Sequence, residues 1–141
     1  MKKAYLDVNV VFDFLLERKP FYIEASQIFE LSRLGKISLT TDTQTIVFAF
    51  FHLTKLDKDR RRVKDKLLKL LNYMEVANLS EAGLRKALEA DYPIDLEDAG
   101  QLEIAQEAKV DVFITRDLKD YKDVNLPVFS PAYFLTEFSK L

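Results

Sequence analysis

The stretch Ala4-Tyr5-Leu6-Asp7-Val8-Asn9 decides how this chain can fold. Its three apolar residues form a short run that stops at the carboxylate of Asp7. A short apolar run of this kind suits a strand that is buried on both faces. Asn9 can then cap a helix over residues 10–16. The stretch therefore predicts a buried strand, an acidic residue at its carboxyl end and a helix that follows.

The same signals recur along the chain. Short apolar runs that favour strands lie at residues 37–40, 75–79, 112–115 and 128–129. Helical patterns separate them and lie over residues 22–34, 43–53, 59–74, 80–90 and 95–108, with a further helix from Ser130-Pro131. This order predicts an α/β protein, with three α/β/α layers around a central, short-stranded and mainly parallel sheet. We expect a single domain over residues 1–141, because the chain holds no obvious linker.

The composition excludes several classes of protein. The 141 residues include no Cys and one His, which rules out disulfides, thiol catalysis and metal sites built from several His or Cys ligands. The net charge of −2 argues against a protein that coats nucleic acid by bulk charge, although acids gathered around cations do not repel such a substrate. No apolar stretch suits a signal peptide or a membrane span, so we expect a cytoplasmic protein without a membrane partner.

Three aspartates occupy positions at which a parallel sheet presents ligand-binding groups. Asp7 and Asp117 follow predicted strands, and Asp98 lies in the first turn of the helix over residues 95–108. Three converging carboxylates repel one another unless a hard divalent cation binds them. Each aspartate taken alone is as readily a cap or turn residue. Together they predict a Mg²⁺ or Mn²⁺ site suited to cleaving phosphodiesters.

These aspartates lie in motifs that carry a family resemblance. The sequence resembles PIN domains, in order and spacing, at Tyr5-Leu6-Asp7-Val8-Asn9-Val10, at Glu97-Asp98-Ala99 with Ile104-Ala105, and at Val112-Phe113-Ile114-Thr115-Arg116-Asp117 with Lys119-Asp120-Tyr121. No single motif is very specific, but the ordered set covers the chain from Tyr5 to about Phe134. The resemblance implies a metal-dependent ribonuclease fold, the one shared by the VapC toxins of prokaryotic toxin–antitoxin pairs.

The resemblance also implies roles for individual residues. Asp7, Asp98 and Asp117 would be the catalytic, metal-binding acids, with Mg²⁺ or Mn²⁺ as cofactor. Asn9 would orient Asp7 or a metal-bound water, and Thr115 would do the same for Asp117. VapC-like proteins form homodimers and take an antitoxin peptide in an apolar groove. The expected partners are therefore RNA, either single-stranded or structured, an antitoxin protein and a second copy of the chain.

One position departs from the family pattern. PIN nucleases usually carry a second acid, commonly Glu, on the helix after the second strand, and our alignment puts Phe48 there. Phe cannot bind a metal, and Asp42 substitutes only in a different register. Three acids still suffice for one Mg²⁺ that keeps much of its hydration. The chain is therefore either an active metal-dependent endoribonuclease or a catalytically weakened PIN-like module that binds RNA or a protein partner.

Basic residues supply candidate RNA contacts. The segment 55–69 holds eight basic and three acidic residues, and Lys55 and Arg61 represent it as candidates. A solvated helix face is the commoner explanation of such a run. Arg116 is a sharper candidate for a phosphate contact because it adjoins Asp117, with which it can equally pair.

The predicted helix over residues 43–53 is apolar nearly all round, with a dense run from Phe48 to Phe51. Such a helix is buried on several sides or covered by a partner. Two readings stay open: a surface for a second copy or an antitoxin, or burial under the helix over residues 59–74.

Two other families of similar architecture fit less well. Haloacid-dehalogenase phosphatases need Asp-x-Asp after the first strand, where this chain has Asp7-Val8-Asn9. Response-regulator receivers need a Lys after a late strand, where this chain has Thr115-Arg116-Asp117. The absence of a glycine-rich phosphate loop also argues against nucleotide binding.

Overall fold

Strands and helices alternate along the chain. The computed structural model describes residues 2–91, 94–121 and 124–139. The strands there are β1 (Lys2–Leu6), β2 (Ile37–Asp42), β3 (Met74–Ala77), β4 (Val112–Ile114) and β5 (Val128–Phe129). The helices are α1 (Val8–Leu15), α2 (Tyr22–Arg33), α3 (Thr43–Leu56), α4 (Arg60–Leu70), α5 (Glu81–Glu89), α6 (Leu96–Glu107) and α7 (Pro131–Phe138), with a 3-10 turn at Leu118–Tyr121. In these ranges no helix is both long and apolar enough to cross a bilayer.

The described strands form one sheet in the order β3-β2-β1-β4-β5, and the four pairings between neighbours are parallel. β1 lies at the centre, where Ala4 stands opposite Leu39 of β2 and Val112 of β4. Parallel neighbours need crossover connections, and helices supply them between β1, β2, β3 and β4. The predicted parallel sheet is confirmed. Its topology brings the carboxyl ends of β1, β2 and β4 to one edge.

Side chains of the central strands alternate between two apolar cores. Leu6 and Ile114 pack in the first core, with residues from α1, α2, α3, α4 and α7. Tyr5 and Phe113 pack in the second core, chiefly with residues of α6, and their rings stack with centroids 5.2 Å apart. All four side chains are 0% exposed. Helices therefore cover both faces of the sheet, which confirms the predicted three-layer α/β/α architecture.

Two local predictions are wrong in their boundaries. Asn9 does not cap α1, because the helix begins at Val8 and the preceding residue takes the N-cap position. The helix predicted over residues 59–74 ends at Leu70, and Met74 opens β3, where it pairs with β2. The helical spacing of apolar residues continues past the end of α4. Pairing with β2 makes Met74 part of a strand, and the spacing of apolar residues along the chain does not reveal such pairing.

The apolar run of α3 is only partly buried. Phe48 and Phe51 are 43% and 55% exposed. Phe50 packs against the first core, with the Arg60 guanidinium 5.3 Å from its ring centroid. Burial under the next helix is therefore wrong for Phe48 and Phe51, and α3 presents apolar surface outside the core.

Ile114→Val tests how tightly β4, the neighbour of the central strand, is packed. Ile114 is 0% exposed, so losing one methylene is expected to lower the free energy of unfolding by about 1 kcal/mol. Urea denaturation measures the change. The matched control is Ile23→Val on α2, where the side chain is 66% exposed and the expected change is smaller. Equal losses in the two variants would contradict the packing described here.

Candidate functional site

The carboxylate of Asp7 lies at the centre of the candidate site. It follows β1, and its backbone N–H donates to the carbonyl of Ile114 at 3.0 Å. The side chain is buried, with 1% exposed. Its Oδ2 accepts a hydrogen bond from the Thr115 hydroxyl at 2.7 Å, and its Oδ1 accepts one from Nε2 of Gln101 at 3.0 Å. Two uncharged donors, one after β4 and one on α6, therefore hold this carboxylate.

Both donors make a second contact that ties Asp7 to its surroundings. The Thr115 hydroxyl accepts a hydrogen bond from the backbone N–H of Asp117 at 3.0 Å. Oε1 of Gln101 accepts one from the backbone N–H of Val8 at 3.0 Å. Thr115 thus links two of the three predicted acids, and Gln101 links α6 to the start of α1. Sequence reasoning missed Gln101, although its spacing of three from Asp98 puts both on one face of α6.

Burial and neighbouring charges raise the pKa values of two of the predicted acids, Asp7 and Asp98. Asp98 is half-buried in the first turn of α6, where burial raises its pKa to about 6, with a further rise from Asp7 and an opposing effect of the Tyr121 hydroxyl. Burial also raises the pKa of Asp7 against its two hydrogen bonds, and the charge of Asp117 adds to the rise. Asp117 itself is exposed. The structure therefore gathers the three acids at the carboxyl edge of the sheet.

A cavity of about 560 Å³ opens beside these acids, between the ends of β2 and β3 and the helices α3, α5 and α6. Gln101 lines it, and Phe48 lines it from α3. Phe48, the position that our alignment assigns to the missing acid, therefore shares a cavity with Gln101, which donates to Asp7. Asp42 also lines the cavity, and it caps α3 by accepting a hydrogen bond from the Thr45 backbone N–H at 2.7 Å.

Glu97 is an acid in this cavity that sequence reasoning did not single out. Burial raises its pKa, and the charges of Asp7, Asp95 and Asp42 raise it further. Glu97 therefore lies near both Asp7 and Asp42, the last residue of β2. Its neighbour Asp98 carried the family motif, and no separate signal in the sequence marked Glu97.

The predicted RNA contacts separate into two groups. Arg116 directly precedes Asp117 and lies at the site. Lys55 lies in the last turn of α3, about 20 Å along that helix from the carboxyl edge of the sheet. Arg61 is exposed on α4, where it pairs with Asp65 at 3.3 Å. The structure brings Arg116 to the acids and leaves Lys55 and Arg61 away from them.

A second buried acid, Asp13 of α1, lies beside the site. Its side chain is 1% exposed, and it pairs with Nε of Arg116 at 2.8 Å and with Nε of Arg18 at 2.9 Å. Nη2 of Arg18 also donates to the backbone carbonyl of Asn9 at 3.0 Å and to the Asn9 side chain at 3.4 Å. The Asn9 side chain thus faces Arg18, whereas its backbone N–H acts on the other acid and lowers the pKa of Asp7.

The chemistry of the donors suits a hard divalent cation. Asp7, Asp98 and Asp117 offer carboxylate oxygens, which Mg²⁺ and Mn²⁺ prefer. Among the described residues, no group of three or more His, Asp or Glu side chains stands close enough to enclose a metal ion as it is. The two buried carboxylates differ, because Asp13 has two guanidinium partners and the described hydrogen bonds of Asp7 come from uncharged groups. Buried carboxylates are normally paired, protonated or bound to a metal, so Asp7 fits a cation.

Comparison with known protein families supports the assignment that the sequence motifs suggested. A family model described as the PIN domain matches residues 3–119, most of the chain. The chain belongs to the PIN domain family. This PIN domain is 24% identical to Ribonuclease VapC1 of Aquifex aeolicus, in an alignment that covers 99% of this chain and 98% of that protein.

Solved structures show the same fold. A chain of VapBC2 from Rickettsia felis, crystallised bound to a promoter DNA fragment, superposes on this PIN domain with a TM-score of 0.64 at 16% identity, over 91% of this chain and 98% of that chain. A chain of a toxin–antitoxin complex from Klebsiella pneumoniae superposes with a TM-score of 0.62 at 23% identity, over 91% and 97%. The predicted PIN-like fold is confirmed.

Asp98→Asn is expected to change how stability depends on pH. The pKa of Asp98 is raised from 3.8 to about 6 in the folded protein. The folded chain keeps a proton that the unfolded chain releases, so this group lowers the free energy of unfolding as the pH rises from about 4 to about 6. Asn does not ionise. By pH 7 the free energy of unfolding of the Asp98→Asn variant should therefore exceed that of wild type by on the order of 1 kcal/mol. This value allows for solvent screening of a half-buried group.

Urea denaturation in EDTA at about pH 4 and about pH 7 measures this difference. Asp111→Asn is the matched control, because Asp111 is exposed just before β4, at the opposite edge of the sheet. The prediction fails if the difference in free energy of unfolding between wild type and the Asp98→Asn variant is the same at both pH values. Asp98 would then not lie in the environment described.

Proposed function

We propose that this PIN domain is a metal-dependent endoribonuclease that hydrolyses RNA phosphodiester bonds with Mg²⁺ or Mn²⁺, within one domain over residues 1–141. One observation carries the proposal. The buried carboxylate of Asp7 has uncharged donors in the described contacts and neighbours Asp98 and Asp117 at the carboxyl edge of the sheet. The relative from Aquifex aeolicus, matched over nearly its whole length, is named a ribonuclease, which supports the same activity here.

In this proposal Asp7, Asp98 and Asp117 hold the cation, and water completes its coordination. A cation held there lowers the pKa of a bound water and offsets charge on the phosphate oxygens. Thr115 and Gln101 hold both oxygens of Asp7 in place, and Thr115 also fixes the backbone of the loop that carries Asp117. Asp98 has to be ionised to bind a metal, so activity is expected to decline as the pH falls below about 6.

A toxin restrained by an antitoxin is the biological role that the comparisons favour. The structural neighbours from Rickettsia felis and Klebsiella pneumoniae are VapBC2 and a toxin–antitoxin complex. The exposed rings of Phe48 and Phe51 supply apolar surface for an antitoxin or for a second copy in a homodimer. RNA, single-stranded or structured, is the proposed substrate, and the cytoplasm is the proposed location.

A second function is favoured by the departure at Phe48. Phe48 lines the cavity beside Gln101, at the position where our alignment expects an acid. Three acids without the fourth hold a second cation less well. A PIN domain weakened in this way would bind RNA or a protein partner without cleaving RNA efficiently.

Asp98→Asn tests the proposed activity. Calorimetric titration with Mn²⁺ is expected to show binding to wild type that is at least tenfold weaker in the variant. Cleavage of RNA in Mg²⁺ or Mn²⁺ is expected to fall by about a hundredfold or more. EDTA should abolish wild-type cleavage, and Asp111→Asn should leave both readouts unchanged. Equal cleavage by wild type and the Asp98→Asn variant, both folded, would overturn the proposal.

Phe48→Glu tests the departure. If Phe48 stands where the family places its second acid, Glu adds a carboxylate beside the cation and should strengthen Mn²⁺ binding several-fold. Phe48→Gln is the matched control, because it has the same length without the charge. The half-exposed position tolerates both residues. Equal Mn²⁺ affinity in the two variants would place Phe48 outside the reach of the metal.

A further inference from the structure

A cationic cluster beside the three acids has no part in the mechanism proposed above. It consists of Arg18, Arg116, Asp13 and Phe21. Asp13 is 1% exposed, whereas the side chains of Arg18 and Arg116 are 37% and 26% exposed. Two guanidinium groups oppose one carboxylate, so the cluster keeps a net positive charge that reaches the surface.

Asp13 holds Arg116 by hydrogen bonds and pairs with Arg18 by charge, and the Arg18 guanidinium is held further by its bond to Asn9. Arg116 makes a two-point contact, from Nε to Oδ2 at 2.8 Å and from Nη2 to Oδ1 at 3.3 Å. Arg18 approaches Oδ1 with Nε at 2.9 Å, and its Nη2 donates to the carbonyl of Asn9 at 3.0 Å. Guanidinium carries its donors in a rigid plane, so these contacts set the direction of the remaining N–H groups.

Phe21 holds the plane of Arg116 from the other side. The Cζ of Arg116 lies 3.8 Å from the centroid of the Phe21 ring, which is within the range of a cation–π contact. Phe21 is 37% exposed, so the stacked pair lies at the surface. In the described contacts of both arginines, Nη1 is not engaged. Each guanidinium therefore has donors left for an acceptor from solution.

The cluster also adjoins the acids along the chain. Arg116 lies between Thr115 and Asp117, and Arg18 contacts Asn9, two residues after Asp7. Because Arg116 adjoins Asp117 in the chain, we expect an RNA strand with one phosphate at the acids to carry a neighbouring phosphate towards this cluster. Planar guanidinium groups bind phosphate oxygens through paired donors.

We propose that Arg18 and Arg116, positioned by Asp13 and Phe21, form a phosphodiester-binding subsite that holds an RNA strand beside the three acids. The inference rests on the proposed function for its ligand and adds Arg18, Asp13 and Phe21 to the site. Asp13 and Phe21 are positioning residues, because they act through the two arginines. The alternative is that the cluster has a purely structural role and only connects the segment after α1 to the end of β4.

Binding of a fluorescein-labelled single-stranded RNA of about 12 nucleotides, measured by anisotropy in EDTA, tests the subsite without cleavage. Arg116→Gln and Arg18→Gln are each expected to bind about tenfold more weakly. The slope of log affinity against log salt concentration should become shallower by about 0.7 for each phosphate that a variant no longer neutralises. Arg33→Gln is the matched control, because Arg33 pairs with Glu30 on α2 just before β2, at the opposite edge of the sheet. Thermal unfolding confirms that each variant is folded.

The outcomes separate this inference from the proposed function. The subsite proposal is overturned if the folded Arg116→Gln and Arg18→Gln variants bind RNA with the same salt dependence as wild type. The endoribonuclease proposal would still stand in that case if wild type cleaves RNA in a metal-dependent way. Arginine-dependent binding without cleavage would support the subsite and favour the non-catalytic module. A wild-type protein that neither binds nor cleaves RNA would overturn both. If Arg116→Gln does not fold, Arg18→Gln decides, because Asp13 then keeps its contact with Arg116.

Discussion

The burial of the Asp7 carboxylate is the constraint on which the rest of the site depends. A buried carboxylate is costly unless hydrogen bonds or a cation satisfy it. Gln101 and Thr115 supply hydrogen bonds from residues 94 and 108 positions further along the chain. Those bonds form only when α6 and the end of β4 have docked against β1. The site therefore exists as a consequence of the completed tertiary fold.

The sheet order explains why the acids meet. With β1 between β2 and β4, the residues after three parallel strands reach the same edge. Tyr5 and Phe113 point to the α6 face, and this packing carries the first turn of α6, with Asp98, towards Asp7. Both faces of the sheet carry an apolar core, and the core on the α6 face also positions the third acid.

Two buried carboxylates on or next to α1 show how charge is divided at the site. Asp13 is neutralised by two guanidinium groups of the chain itself. Asp7 has uncharged donors in the described contacts, and Asp98 keeps a raised pKa beside it. In the proposed site, the first arrangement supplies positive charge for a phosphate and the second leaves carboxylate oxygens for a cation. An acidic centre with an adjoining basic cluster is complementary to a metal-bound phosphodiester.

The sequence by itself determined the fold class, the strands that end in acids and the PIN family, because short apolar runs and an ordered set of motifs are local features. Capping residues and helical periodicity also marked most element ends, although periodicity failed at Met74 and the cap prediction failed at Asn9. Only the tertiary structure decided the partners of Asp7, the pairing of Asp13 with two arginines and the exposure of Phe48. These depend on contacts between distant segments, which packing selects and no local pattern encodes.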